Sequence, residues 1–189
     1  MLIKNSSSFN LKSKIHKAVS IALISAGFIP AVNAAETNVN INNPTGTTID
    51  GTIAVVLNNG ASFTVDNDGT IAGTDTNTGR GINVTSTTTI TTLTNDGTIS
   101  GSATNNGGRG INLFNNSEIT TLTNDGTISG EAGNDSGLGI RFFNSSTITT
   151  LINNDTISGT AGNDLGLGIL LQTSSTITNL TNDGTISGS

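Results

Sequence analysis

The chain contains no cysteine, tryptophan or tyrosine, two prolines and a single histidine, His16. Without cysteine it has no disulfide framework, so any stable fold must rest on a continuous core. With no cysteine anywhere and no histidine after position 16, residues downstream cannot assemble a thiolate–imidazole zinc site or a Ser-His-Asp relay. Lysine is confined to Lys4, Lys12, Lys14 and Lys17, and the only later cations are Arg80, Arg109 and Arg141. From Ala35 onward these three arginines face thirteen acidic residues, and 3 − 13 gives −10. That balance excludes the basic face that nucleic-acid binding requires, so no nucleic-acid partner is expected. No glycine-rich loop is followed by a lysine that would cradle a phosphate. No apolar pattern of helical period runs beyond one turn, and the threonine, asparagine and glycine content opposes helix.

What is present is a repeat. Residues 93–121 read LTNDGTISGSATNNGGRGINLFNNSEITT, 122–150 read LTNDGTISGEAGNDSGLGIRFFNSSTITT, and 151–179 read LINNDTISGTAGNDLGLGILLQTSSTITN. A further copy opens at Leu180 and runs to Ser189, and a looser unit of 65–92 precedes them. A fixed period of 29 residues predicts a solenoid in which each unit is one coil. Apolar columns recur in register. One is Ile71, Ile99, Ile128, Ile157 and Ile186; a second is Ile82, Ile111, Ile140 and Ile169. A third is Ile90, Ile119, Ile148 and Ile177, and a fourth is Leu93, Leu122, Leu151 and Leu180. Each lies in a short Ile- and Thr-rich segment bounded by Gly, Asn or Asp, so three strands per unit are expected. The predicted fold is all-β, a right-handed parallel β-helix of about five coils.

Between the columns, Asn95-Asp96-Gly97 and Asn124-Asp125-Gly126 are the expected turn, with copies at Asn67 and Asn182. Gly69, Gly97, Gly126 and Gly184 are expected to adopt positive φ there, and stacked Asn residues to bond their copies in the next coil. The unit at Leu151 places Asp155 in the glycine slot, which predicts an altered turn. Residues 102–108 and 131–137 are the expected protruding loops, where a solenoid places function.

The ends of the chain read differently. Residues 1–34 have a lysine-rich start, a twelve-residue apolar run from Ala18 to Ile29, then Pro30 and Val32-Asn33-Ala34. This is the pattern of a secretory signal peptide cut before Ala35, and the run is too short to span ~30 Å of hydrocarbon. Residues 35–48 are expected to be a cap, a linker or a first strand, and residues 49–189 the repeats.

Candidate chemistry is sparse. The column Asp68, Asp96, Asp125 and Asp183 sits at a turn that favours Asp-Gly, so turn geometry accounts for it better than an acidic stripe. The AGND strings at 132–135 and 161–164 lie 29 apart, not in the tandem nine-residue spacing of calcium repeats. Arg80 and Arg109 share a column continued by Leu138 and Leu167, which suits a solvated strand start or a paired-arginine anion site. Thr91, Thr120, Thr149 and Thr178 form an incomplete threonine face. No catalytic residue, cofactor or metal is expected.

With its leader and its repeated LTNDGTISG and STITTL strings, the chain resembles the passenger segments of Gram-negative autotransporters, the pertactin-like group. The resemblance implies display on the outer surface and a C-terminal translocator β-barrel, which is absent from this chain; its function would be a non-enzymatic stalk or adhesin with host-cell or self surface ligands. Two other readings stand beside it: a polysaccharide-acting β-helix enzyme, and a truncated fragment without function.

Overall fold

The computed structural model describes residues 38–189. The signal-peptide reading of residues 1–34 therefore falls outside the described residues. Within them every regular element is a strand. The first coil is β1 (Ile41–Asn43), β2 (Thr48–Gly51) and β3 (Ile53–Leu57). The second is β4 (Ser62–Asn67), β5 (Thr70–Asp75) and β6 (Arg80–Val84), and the third β7 (Thr89–Asn95), β8 (Thr98–Ala103) and β9 (Gly107–Phe114). The fourth is β10 (Glu118–Asn124), β11 (Thr127–Ala132) and β12 (Ser136–Phe143). The fifth is β13 (Thr147–Asn153), β14 (Thr156–Ala161) and β15 (Leu165–Leu171), followed by β16 (Thr176–Asn182) and β17 (Thr185–Gly188).

Each strand pairs in parallel with its copy one coil away, giving sheets ordered β1-β4-β7-β10-β13-β16, β17-β14-β11-β8-β5-β2 and β15-β12-β9-β6-β3. The molecule is a β-solenoid. Registers follow the repeat: Ile128 faces Ile99 and Ile157, and Leu122 faces Leu93 and Leu151. β-branched side chains are stiff at χ1 and pack well on a pleated surface, which is why Ile and Thr dominate these strands. The first coil starts earlier than residue 49, since Ile41 pairs with Val65 inside the first sheet. Within that first coil the chain turns a corner at Thr52, between β2 and β3.

Ile90, Ile99, Ile111, Ile119, Ile128, Ile140, Ile148 and Ile157 are fully buried, as are Leu93, Leu122 and Leu151. They belong to one core running from Ile41 to Ile157, against which Ile169, Ile177 and Ile186 are partly buried. Leu171 and Leu180 continue buried columns, yet are 44% and 53% exposed, since β15 and β16 are the last described strands of their sheets.

Candidate functional site

Three corners join the sheets, and each has its own chemistry. At the Asn-Asp-Gly corner the asparagine points inward. Asn43, Asn67, Asn95, Asn124 and Asn153 are completely buried. Each donates from Nδ2 to Oδ1 of the next coil's asparagine: Asn67 to Asn95 at 2.7 Å, Asn95 to Asn124 at 2.7 Å, Asn124 to Asn153 at 2.8 Å and Asn153 to Asn182 at 2.7 Å. The same nitrogen reaches the next coil's threonine carbonyl, as from Asn95 to Thr127 at 3.2 Å. The ladder starts at Asn43, whose Oδ1 accepts from the Thr47 hydroxyl at 2.6 Å. A buried amide must be hydrogen-bonded, and here its copies in neighbouring coils supply the partners.

The expected positive φ at this corner is not found. Gly69, Gly97, Gly126 and Gly184 lie outside the left-handed region, and glycine is needed for a different reason. A Cβ on Gly97 would sit 2.0 Å from the Gly69 carbonyl oxygen of the coil below. Asp155 shows the result of a side chain there. Gly97, Gly126 and Gly184 each donate a backbone N–H to the asparagine carbonyl one coil back. Asp155 makes no such bond, and the neighbouring Thr156 N–H to Gly126 O contact lengthens to 3.2 Å from 2.9 Å one coil earlier. The altered turn is present, with steric rather than conformational origin.

Positive φ is concentrated at another corner, which sequence reasoning missed. Ser86 and Thr87, Asn115 and Asn116, Asn144 and Ser145, and Thr173 and Ser174 are tandem left-handed pairs, all with φ between 53° and 60°. Asn tolerates this conformation and was the available signal. The second N–H of a pair bonds forward to the next coil, as from Asn116 to the Asn144 carbonyl at 2.9 Å. Beneath this corner Thr88, Ser117 and Ser146 are buried, and the Ser117 and Ser146 hydroxyls lie 3.4 Å apart.

The third corner carries the tips. They are shorter than expected: Ser102 and Ala103 belong to β8, and Gly107 and Gly108 to β9, leaving residues 104–106. Likewise Glu131 and Ala132 lie in β11, and Ser136 and Gly137 in β12. The two strands touch backbone to backbone, since a Cβ on Gly101 would lie 1.9 Å from the Arg109 carbonyl oxygen.

Among the described residues all positive charge lies on the strands of one sheet. Arg80 and Arg109 are register partners on β6 and β9, and Arg141 on β12 pairs with Asn112. All three are half-buried. The Arg109 guanidinium lies over Gly107, with Nη2 3.0 Å from where a Cβ would stand. Arg141 is held by Asn112 Oδ1 at 3.4 Å and by the Phe143 ring, whose centroid is 4.8 Å from Cζ. Asn112 in turn donates to Asn83 at 2.7 Å, and Phe143 stacks on Phe114 at 5.3 Å. Burial, then the charges of Arg141 and Arg80, push the Arg109 guanidinium down to about 10. Burial also lowers Arg80 and Arg141; Asp75 partly offsets this for Arg80, while Arg80 adds to it for Arg141. The Nε donors of Arg80 and Arg109 are shielded from solvent and meet no acceptor among the described residues.

Asp68, Asp96, Asp125 and Asp183 stand exposed outside the asparagine ladder. Only Asp125 among them accepts a side-chain bond, from Asn154 at 2.6 Å. Among the described residues no three His, Cys, Asp or Glu side chains are grouped to hold a metal. Thr120 and Thr149 both reach Glu118 Oε1, at 3.4 Å and 3.2 Å, which ties up part of the threonine face. Comparison with protein-family models, with curated proteins and with solved structures finds no match to this chain.

Proposed function

We propose that this chain is an exported, non-enzymatic surface segment that serves as a stalk or adhesin, as the passenger of an autotransporter does. The observation that carries the reading is the register of the solenoid. Three sheets and one buried amide ladder run through every described coil, so the chain is built to hold short tips at fixed spacing along a rod. The buried apolar and asparagine side chains repeat at the same slot from coil to coil, as structural roles do. A leader of signal-peptide pattern at residues 1–34 and a charge of −10 from Ala35 onward agree with export and with a soluble outer surface. Display in this reading uses a translocator β-barrel and presents the rod to host-cell or self ligands.

The test is expression of the full chain in a Gram-negative host. N-terminal sequencing of the envelope product is expected to begin at Ala35, and protease added to intact cells to remove the repeat when a translocator is supplied. An unprocessed chain recovered from the cytoplasm overturns the reading. A polysaccharide-cleaving enzyme is the competing class, and release of new reducing ends by the purified chain would replace the stalk with it.

A further inference from the structure

We infer that Arg80, Arg109 and Arg141 form a binding site for an acidic polysaccharide, a carboxylated or sulfated glycan lying obliquely across three coils of one sheet. The first observation is distribution. Residues 38–189 carry twelve carboxylates and three arginines, and 3 − 12 gives −9, yet all three cations lie on adjacent strands of one sheet. Their mutual repulsion is left largely uncompensated, since Asp75 alone offers an opposing charge, and only to Arg80.

The second observation is that the fold does not require charge in these slots. The column of Arg80 and Arg109 continues as Leu138 and Leu167, and Leu138 is 1% exposed. An apolar side chain fills the position one coil later. Two coils instead keep guanidiniums there, half-buried, with Nε donors unpartnered among the described residues. The clustered charge is unfavourable without an anion and is relieved by one bound through the Nη groups, because a guanidinium presents a planar fork suited to carboxylate or sulfate.

The third observation is extent. Arg80, Arg109 and Arg141 occupy three successive coils, spanning roughly 10 Å along the axis at one strand spacing per coil. Arg141 is displaced three residues along the strand from the Arg80 column, and Asn112 and Phe143 hold it there. One small anion fills one gap in such a row; a linear polyanion spans it. Three cations on one sheet make too small a patch for nucleic acid or an anionic membrane, which need an extended basic face, and no lysine among the described residues enlarges it.

This inference rests on the display reading, which brings the chain to glycans outside the cell. Full-chain protein would be applied at low ionic strength to immobilised polygalacturonate, dextran sulfate and neutral dextran. Retention on the two acidic polymers and not on the neutral one is expected. The R80L/R109L variant, which copies the Leu138 slot, is expected to lose about tenfold in affinity, or ~1.4 kcal/mol. In anion-free buffer the same variant should melt about 2–4 °C higher than the parent, whereas a merely structural pair would melt lower. R141Q provides a second variant outside that column and is expected to weaken retention as well. No retention of the parent, or retention unchanged in both variants, overturns the site. Thermal stabilisation by sodium sulfate equal to that by polymer also overturns it, leaving a single-anion pocket. A displayed chain that ignores the polymers sinks this inference alone. A chain that binds them but is never exported sinks the display reading alone.

Discussion

At the scale of single residues the molecule separates roles that look alike in sequence. Asn124 is invisible to solvent and has a donor on one side and an acceptor on the other. Asn124→Ala would take one acceptor from the Asn95 amide and leave the Asn153 side-chain carbonyl without a donor in the core, a loss of about 1–3 kcal/mol that urea denaturation should read. Thr87 is strained in the opposite sense. It is β-branched at φ 58°, in the slot that Gly60 occupies one coil earlier. Thr87→Gly should therefore raise stability by about 0.5–1 kcal/mol, seen as a higher melting temperature. Asp75 gives a pH signature. Its carboxylate accepts the Thr78 and Thr76 backbone N–H groups, which hold it below the ordinary 3.8. A depressed carboxyl contributes stability that is complete above its unfolded value and lost as pH falls through the folded one. Hydrogen exchange at the Thr76 and Thr78 amides should thus lose protection only below about pH 3.8, and Asp75→Asn should abolish that dependence.

At the scale of elements the two glycine walls differ, and the difference is measurable. Gly97 meets the coil below, and Asp155 demonstrates that this slot can take a Cβ at the expense of one backbone bond. Gly97→Ala should cost about 1–3 kcal/mol and leave the fold intact. Gly101 meets the β9 backbone of its own coil, and its partners Gly73, Gly130 and Gly159 are all glycine. Gly101→Ala should collapse the pairing of β8 against β9, seen as loss of protection in both strands. The strands and columns were legible because a 29-residue period averages out local ambiguity: Ile99 alone says little, whereas its recurrence at Ile128 and Ile157 identifies a buried line. The corners were not. Asn-Asp-Gly resembles a positive-φ turn whether or not it is one, and the reason for its glycine lies in a carbonyl of another coil. The true left-handed slots were hidden for the opposite reason, since Asn144-Ser145 and Thr173-Ser174 are ordinary polar pairs in sequence. The arginine row was half legible: the Arg80–Arg109 column shows in the repeat, but Arg141 joins it only through a diagonal that no spacing reveals.

At the scale of the whole molecule each coil touches only its neighbours, so stability is a sum of coil terms and interface terms. Ile128→Asp places a charge in the middle of that line. Exchange protection should vanish in β8, β11 and β14 first and persist longest in β1–β4, and a uniform loss across all coils would contradict the one-dimensional picture. The amide ladder adds a direction to that line. Every link donates from the earlier coil and accepts in the later one, and at its start the Asn43 acceptor is already engaged by Thr47. A finished coil therefore always offers a donor to the next coil. Assembly has a polarity like that of a filament with one growing tip: coils added in chain order each find a waiting N–H.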